Sequence, residues 1–266
     1  MQRFFSISLL VTSFIAALLI HSLFAAEALF AAEGSRPIAL PKNPKAVVVS
    51  LDYDGGFASP PPGHPPVILV RANGTVETSE LFGKKKPKRF KISAKEVESL
   101  LQTIINENKF FEKDVASIQK KLKGNRHIAD ARGTIIIVNT GGKKKIHFPA
   151  LSILAQQFKE NKELQQLVAI EKLLLRLKII VQAGGKKKVI KWLKIANNAL
   201  KKKYPEASML KLKNLHAIRL NKKGKRSYIF HRQQKKTVTT VTVTTPSNKK
   251  KLPKTTVVYN IYRPQR

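Results

Sequence analysis

Gly184-Gly185 separates two chemically different stretches. The 84 residues from 183 to 266 hold 24 basic side chains and one acidic one, Glu206. Such a stretch cannot balance its cations internally. Its lysines and arginines must stay in water, and its apolar residues alone must build any core. Residues 1–182 hold 27 basic and 15 acidic side chains, so the smaller part carries most of the total charge of +35. At 266 residues and 42% hydrophobic content the composition is that of a globular chain. There is no Cys, which excludes disulfides, thiolate chemistry and Cys-ligated metals.

After the glycine pair, Lys187–Lys203 reads as an amphipathic helix. Val189, Trp192, Leu193, Ala196 and Leu200 share one face, and lysines lie opposite. Four strand candidates follow, at Leu212–Leu220, Lys225–His231, Thr237–Thr245 and Thr255–Tyr262. The third loses its Val/Thr phase between Val238 and Val241, which predicts a bulge there. A helix followed by a four-stranded antiparallel sheet is a cystatin-like pattern, and that analogy carries no function.

Upstream, Ala46–Leu51 is a strand candidate ending in Asp52-Tyr53-Asp54-Gly55-Gly56, and Pro60–Pro66 makes a stiff loop. Val67–Ala72 and Thr75–Thr78 flank Asn73-Gly74, which predicts a two-residue type I′ hairpin with positive φ at both positions. Ser93 and Glu96 spell a capping box before Val97, Leu100, Leu101, Ile104 and Ile105 at helical spacing. Asp114 caps a shorter helix bearing Val115, Ile118 and Leu122. Thr134–Val138 and Lys145–Phe148 form a second hairpin around Gly141-Gly142, and helices follow at Ala150–Phe158 and Glu163–Val181. Leu164–Val181 is too interrupted by Glu171, Lys172, Arg176 and Lys178 to face lipid, so it reads as a buried helix. The fold class is therefore α+β in two small domains. The expected division is a signal peptide over 1–28, a linker over 29–45, a hairpin-plus-helices domain over 46–182 and a basic helix-plus-sheet domain over 183–266.

The signal peptide rests on Arg3, the uncharged run from Phe4 to Ala26, and small residues at Ala26 and Ala28. Cleavage after Ala28 fits best. The duplicated LFAAE at Leu23–Glu27 and Leu29–Glu33 leaves Ala26 and Ala32 open as alternatives, and an uncleaved membrane anchor is a further one. The expectation is an exported protein, periplasmic or secreted.

The segments VVVSLDYDGGF at Val47–Phe57, RANGTVE at Arg71–Glu77, IADARGT at Ile128–Thr134 and LQQLVAIEKLLLRL at Leu164–Leu177 resemble a family of exported proteins of planctomycete-type bacteria. The resemblance covers roughly residues 45–180. It implies export and a shared fold, and no activity, since none is assigned to that family.

Several constellations could carry chemistry. An apolar strand ending in Asp-x-Asp resembles the first motif of haloacid-dehalogenase-type phosphotransferases, with Asp52 as nucleophile, Asp54 as general acid/base and Mg²⁺ between them. The helix and the later acidic pair of that family are missing. The alternative is a strand end at which Asp54 caps a glycine turn and Asp52 pairs with Arg or Lys. The Gly-Lys-Lys-Lys strings at 83–86, 142–145 and 185–188 lack the phosphate-loop frame and read as solvated turn lysines. His216 and His231 would lie directly opposite if Lys223-Gly224 is a two-residue turn, which is half a metal site at most. No cofactor motif is present.

The remaining signal is cationic. Lys187, Lys191, Lys194 and Lys201 recur on one helical stripe, and Lys222, Lys223, Lys225 and Arg226 form a basic hairpin tip. Expected partners are an anionic polymer, membrane headgroups or an acidic protein. Nucleic acid is disfavoured, because lysines outnumber arginines and only Tyr228 and Phe230 offer rings beside the basic turn. The sequence thus reads as a non-catalytic structural or binding protein for anionic surfaces. A Mg-dependent phosphate-ester hydrolase using Asp52 and Asp54, and non-specific nucleic-acid binding, are the alternatives.

Overall fold

The computed structural model describes residues 36–56, 61, 63–79, 87–122, 128, 130–220, 225–234, 237–245 and 253–261. The signal-peptide region, Lys222, Lys223 and the string at 83–86 lie outside them. Ala39–Arg266 makes one compact unit. Its described residues form five α-helices and two antiparallel sheets, a mixed α+β arrangement.

The first sheet has six strands: β1 (Val47–Gly55), β2 (Ile68–Arg71), β3 (Thr75–Thr78), β4 (Lys88–Lys91), β5 (Arg132–Asn139) and β6 (Lys143–Pro149), in the order β4-β3-β2-β1-β5-β6. Four helices accompany it: α1 (Ala94–Gln102), α2 (Val115–Lys121), α3 (Leu151–Gln157) and α4 (Lys162–Gln182). The central pair sets the face alternation. Leu51 lies opposite Ile136 and Tyr53 opposite Thr134, and Ile136 and Thr134 in turn pair with Ile146 and Phe148. Leu51, Ile136, Ile146 and Phe148 are all buried. Asp52 and Asp54 alternate to the opposite face, beside Ile135 and Gly133.

The capping box is present at α1: the Ser93 hydroxyl accepts from the Glu96 N–H, and the Glu96 carboxylate accepts from the Ser93 N–H. Val97, Leu100 and Leu101 are buried. The chain then loosens into one π-helical turn, Thr103–Glu107, which buries Ile104 and Ile105. The Asp114 carboxylate caps α2 by accepting from the Ala116 N–H.

The β2–β3 turn differs from expectation. Arg71 and Thr75 enclose three residues, and only Gly74 has positive φ (+81°). The Gly74 N–H donates to the Arg71 carbonyl and the Thr75 N–H to the Asn73 side chain, a tight turn closed by a left-handed glycine. A Cβ on Gly74 would overlap the Ile92 carbonyl. The close passage of that strand end therefore requires glycine at the third position of the turn.

The second sheet is a meander of β7 (Leu215–Leu220), β8 (Arg226–Gln234), β9 (Thr237–Thr244) and β10 (Lys254–Ile261). Against one face packs α5 (Lys186–Lys203), burying Val189, Ala196 and Leu200 with Tyr228, Phe230, Val241 and Val243. Ile179 and Ile180 of α4 pack against the same cluster. Asn197 ties α5 to the following loop, donating to the Leu210 carbonyl and accepting from its N–H. The bulge expected in β9 is absent. That strand pairs regularly with both neighbours, and its odd residues, Thr239 included, face inward. The irregularity lies in β7 instead, between Leu215 and Ala217.

Candidate functional site

Two regions concentrate polar chemistry. On the face of the six-stranded sheet opposite α4, Asp54 and His147 meet across β5, with Asp54 Oδ1 and His147 Nε2 at 3.0 Å. Both are about half exposed. They reach each other over Gly133, which β1 and β6 flank in register. A Cβ there would overlap both Asp54 Oδ1 and His147 Nε2. Asp54 is thus a hydrogen-bond partner of His147 on a strand and not the turn cap expected of it.

Asp52, two residues back on the same face, has no described Arg or Lys within salt-bridge distance. Its Oδ1 is shielded from solvent without a hydrogen-bond partner. Burial pushes its carboxyl above the ordinary carboxylate range, and nearby Asp54 adds to that, against the opposing pull of His64. A groove of about 290 Å³ continues along this face, lined by Val47, Ser50, Pro66, Leu69, Ile137 and Lys143 among others. Among the described residues no group of three or more His, Asp or Glu is placed to hold a metal ion. The described residues thus bring together two carboxylates and one histidine there, and no third acidic ligand of the kind Mg²⁺-dependent phosphoryl transfer uses.

The opposite face holds a buried carboxyl that the sequence reading passed over. Glu171 of α4 is 4% exposed. It accepts from the Tyr53 hydroxyl at 2.8 Å, the Thr134 hydroxyl at 3.3 Å and the Ser152 hydroxyl at 2.8 Å, joining β1, β5 and α3. Burial, and then the adjacent Glu171, push the Tyr53 hydroxyl well above its usual range, so Tyr53 remains a donor. The signal was available: one Glu inside an apolar helical run needs internal partners if the helix is buried. Nearby, Lys144 is not a solvated turn lysine. Its Nζ donates to the carbonyls of Phe111 and Lys113, at 2.7 and 2.6 Å.

The second region is the lysine face of α5. Lys187, Lys191, Lys194 and Lys201 are all exposed, opposite the buried stripe. Lys186, Lys188, Lys202 and Lys203 are exposed beside them. No described carboxylate pairs with any of the eight. Three of them sit in the first turn, where the helix dipole is already positive. Of the predicted hairpin tip, Lys225 and Arg226 are half-buried at the start of β8.

The rings and histidines of this region serve the core and the strands. Tyr228 and Phe230 are fully buried, and the Tyr228 ring stacks on Trp192 at 5.3 Å, so neither can act as a stacking platform for bases. His216 and His231 are neighbours but not register partners, because the β7 irregularity falls at His216. Their rings are 5.6 Å apart, and His231 Nδ1 bonds the Thr240 hydroxyl at 3.0 Å.

No known protein family, curated protein or solved structure matches the chain.

Proposed function

We propose that this is a non-catalytic binding protein for polyanions, exported to the cell envelope, whose basic region begins at the glycine pair and comprises α5 and the sheet that follows. The two-domain division at residue 183 and the cystatin-like comparison belong to the same proposal. The observation that carries it is the α5 face: Lys187, Lys191, Lys194 and Lys201 stand exposed on one stripe, and no described carboxylate lies within salt-bridge distance of them. Like charges at this density repel one another and oppose the dipole at the first turn. A bound anion relieves both. The apolar side of the helix is fully engaged in the core, so the cationic side is the one left to face a partner. No described helix is long and apolar enough to cross a membrane, and the expectation of export rests on the amino-terminal segment alone.

The full chain should be retained on a polyanion column and elute with salt, because exposed charges are screened within about 3 Å at 1 M. Reversing Lys187, Lys191, Lys194 and Lys201 to Glu should move elution to much lower salt. Reversing the exposed Lys88, Lys91 and Lys95 on the first region should move it far less. Equal shifts from both sets would show that net charge, and not the α5 face, governs retention.

A further inference from the structure

We propose that the polyanion is an acidic polysaccharide, contacted on two opposite sides of the basic region; this rests on the polyanion reading above. The first side is the lysine face of α5. The second is the face of the four-stranded sheet turned away from α5, where register aligns cations and hydroxyls in rows. Arg219, Ser227, Thr244 and Lys254 lie across all four strands in one row. Ile229, Thr242 and Thr256 form the next, and His231, Thr240 and Val258 the one after. Arg219, Lys254 and Thr256 are exposed, and Ser227, Thr240, Thr242 and Thr244 are half-buried. The Ser227 and Thr244 hydroxyls bond each other at 2.9 Å, which fixes the centre of the first row.

The chemistry of this face selects among polyanions. Hydroxyls both donate and accept, which complements the hydroxyls of a sugar chain, while Arg219 and Lys254 at the two edges take its acidic groups. Single-stranded nucleic acid is bound by a basic groove together with aromatic rings on which its bases stack, and here Tyr228, Phe230 and Trp192 are committed to the core. Duplex DNA has a persistence length of about 50 nm, too stiff to follow two opposed faces of so small a body. A bilayer is a plane and meets one side at a time. A flexible acidic glycan can reach both.

The test compares the full chain on a uronic-acid polysaccharide, on duplex DNA and on phosphatidylserine vesicles at one ionic strength. Two variant sets accompany it, one with Lys187, Lys191, Lys194 and Lys201 changed to Glu and one with Arg219→Glu and Lys254→Glu. Melting each variant confirms folding, and exposed sites tolerate such changes. The expected result is tightest binding to the polysaccharide, weakened on the order of tenfold or more by each set separately, as expected for lost charge contacts. DNA or vesicle binding as tight as polysaccharide binding overturns the glycan assignment and leaves the polyanion reading standing. Loss from the α5 set alone overturns the second face. Absence of binding to all three overturns both readings together.

Discussion

Around the six-stranded sheet charged groups of both signs are built into the structure, whereas beside the four-stranded sheet the lysines of α5 are left in solvent. Glu171 collects three hydroxyls, Lys144 caps two carbonyls, and the buried Lys113 ammonium donates to the Gln166 side chain. Glu77 bridges Arg71 and Arg89, and Lys121 pairs with Glu163. In the second region Glu206 is the sole acid, and the polar ties come from Asn197 and from Arg232, which donates to the carbonyls of Ser208 and Met209. The first region has both signs of charge and uses them to fix geometry. The second has almost one sign only, and its cations find backbone carbonyls and not carboxylates. Charge that cannot be neutralised within a fold remains available to a partner.

The largest expected effects test whether the two cores are one cooperative body. Ile104→Ala in the first and Phe230→Ala in the second, both fully buried, should each cost about 2–5 kcal/mol. Because α4 contributes Ile179 and Ile180 to the second core, both variants should lower a single unfolding transition in calorimetry. Two transitions, each moved by only one variant, would show that the regions unfold independently.

Next in size is the buried carboxyl. Glu171→Leu leaves the Tyr53 hydroxyl without its acceptor, and should lower stability by about 1–3 kcal/mol in denaturant titration. Glu171→Gln, which keeps one acceptor oxygen, should cost less. A Leu variant as stable as the parent would mean that the three hydroxyls find other partners, and the contrast drawn above would weaken.

The elements written by local rules were legible before the fold was known. The capping box at Ser93, the Asp114 cap and the apolar stripe of α5 each depend on residues within one or two turns. What escaped depends on residues far apart in sequence. Asp54 meets His147 only because β1 and β6 both flank β5, and no spacing in the chain encodes that. Strand β4, Lys88–Lys91, went unread because a four-residue edge strand with three cations has no apolar alternation to detect. The missing β9 bulge has a different cause. Thr239 fills an inward position that alternation reserves for an apolar side chain, so the pattern broke while the backbone stayed regular.

A smaller effect is expected at the exposed pair. With Asp54 and His147 about half exposed, removing either side chain should cost about 0.2–1 kcal/mol, the range of exposed polar pairs. Gly133→Ala is the sharper probe, because its Cβ would push the two side chains apart without altering their charge. If Gly133→Ala and His147→Ala lower the melting temperature by similar small amounts, the pair is a surface contact. A much larger loss from His147→Ala would place that histidine among the internal polar groups of the first region.

The smallest effect has the opposite sign and is read from its pH dependence. Asp52 sits with one oxygen shielded and unpartnered, and burial holds its folded-state carboxyl above the 3.8 of an ordinary aspartate. Between that value and the raised one, the folded protein binds more protons at Asp52 than the unfolded chain does. Stability must therefore fall as pH rises through this window, and stay at the lower level above it. Asp52→Asn has the same shape and no charge to bury, so its stability should lack this decline. The variant should gain on the parent most at neutral pH, with the difference narrowing as pH drops toward 4. Parallel denaturation curves from pH 4 to 7 measure it. A difference that stays constant, or widens in acid, would mean that Asp52 ionises freely in the folded state. It would then belong with the solvated charges of the second region and not with the buried ones of the first.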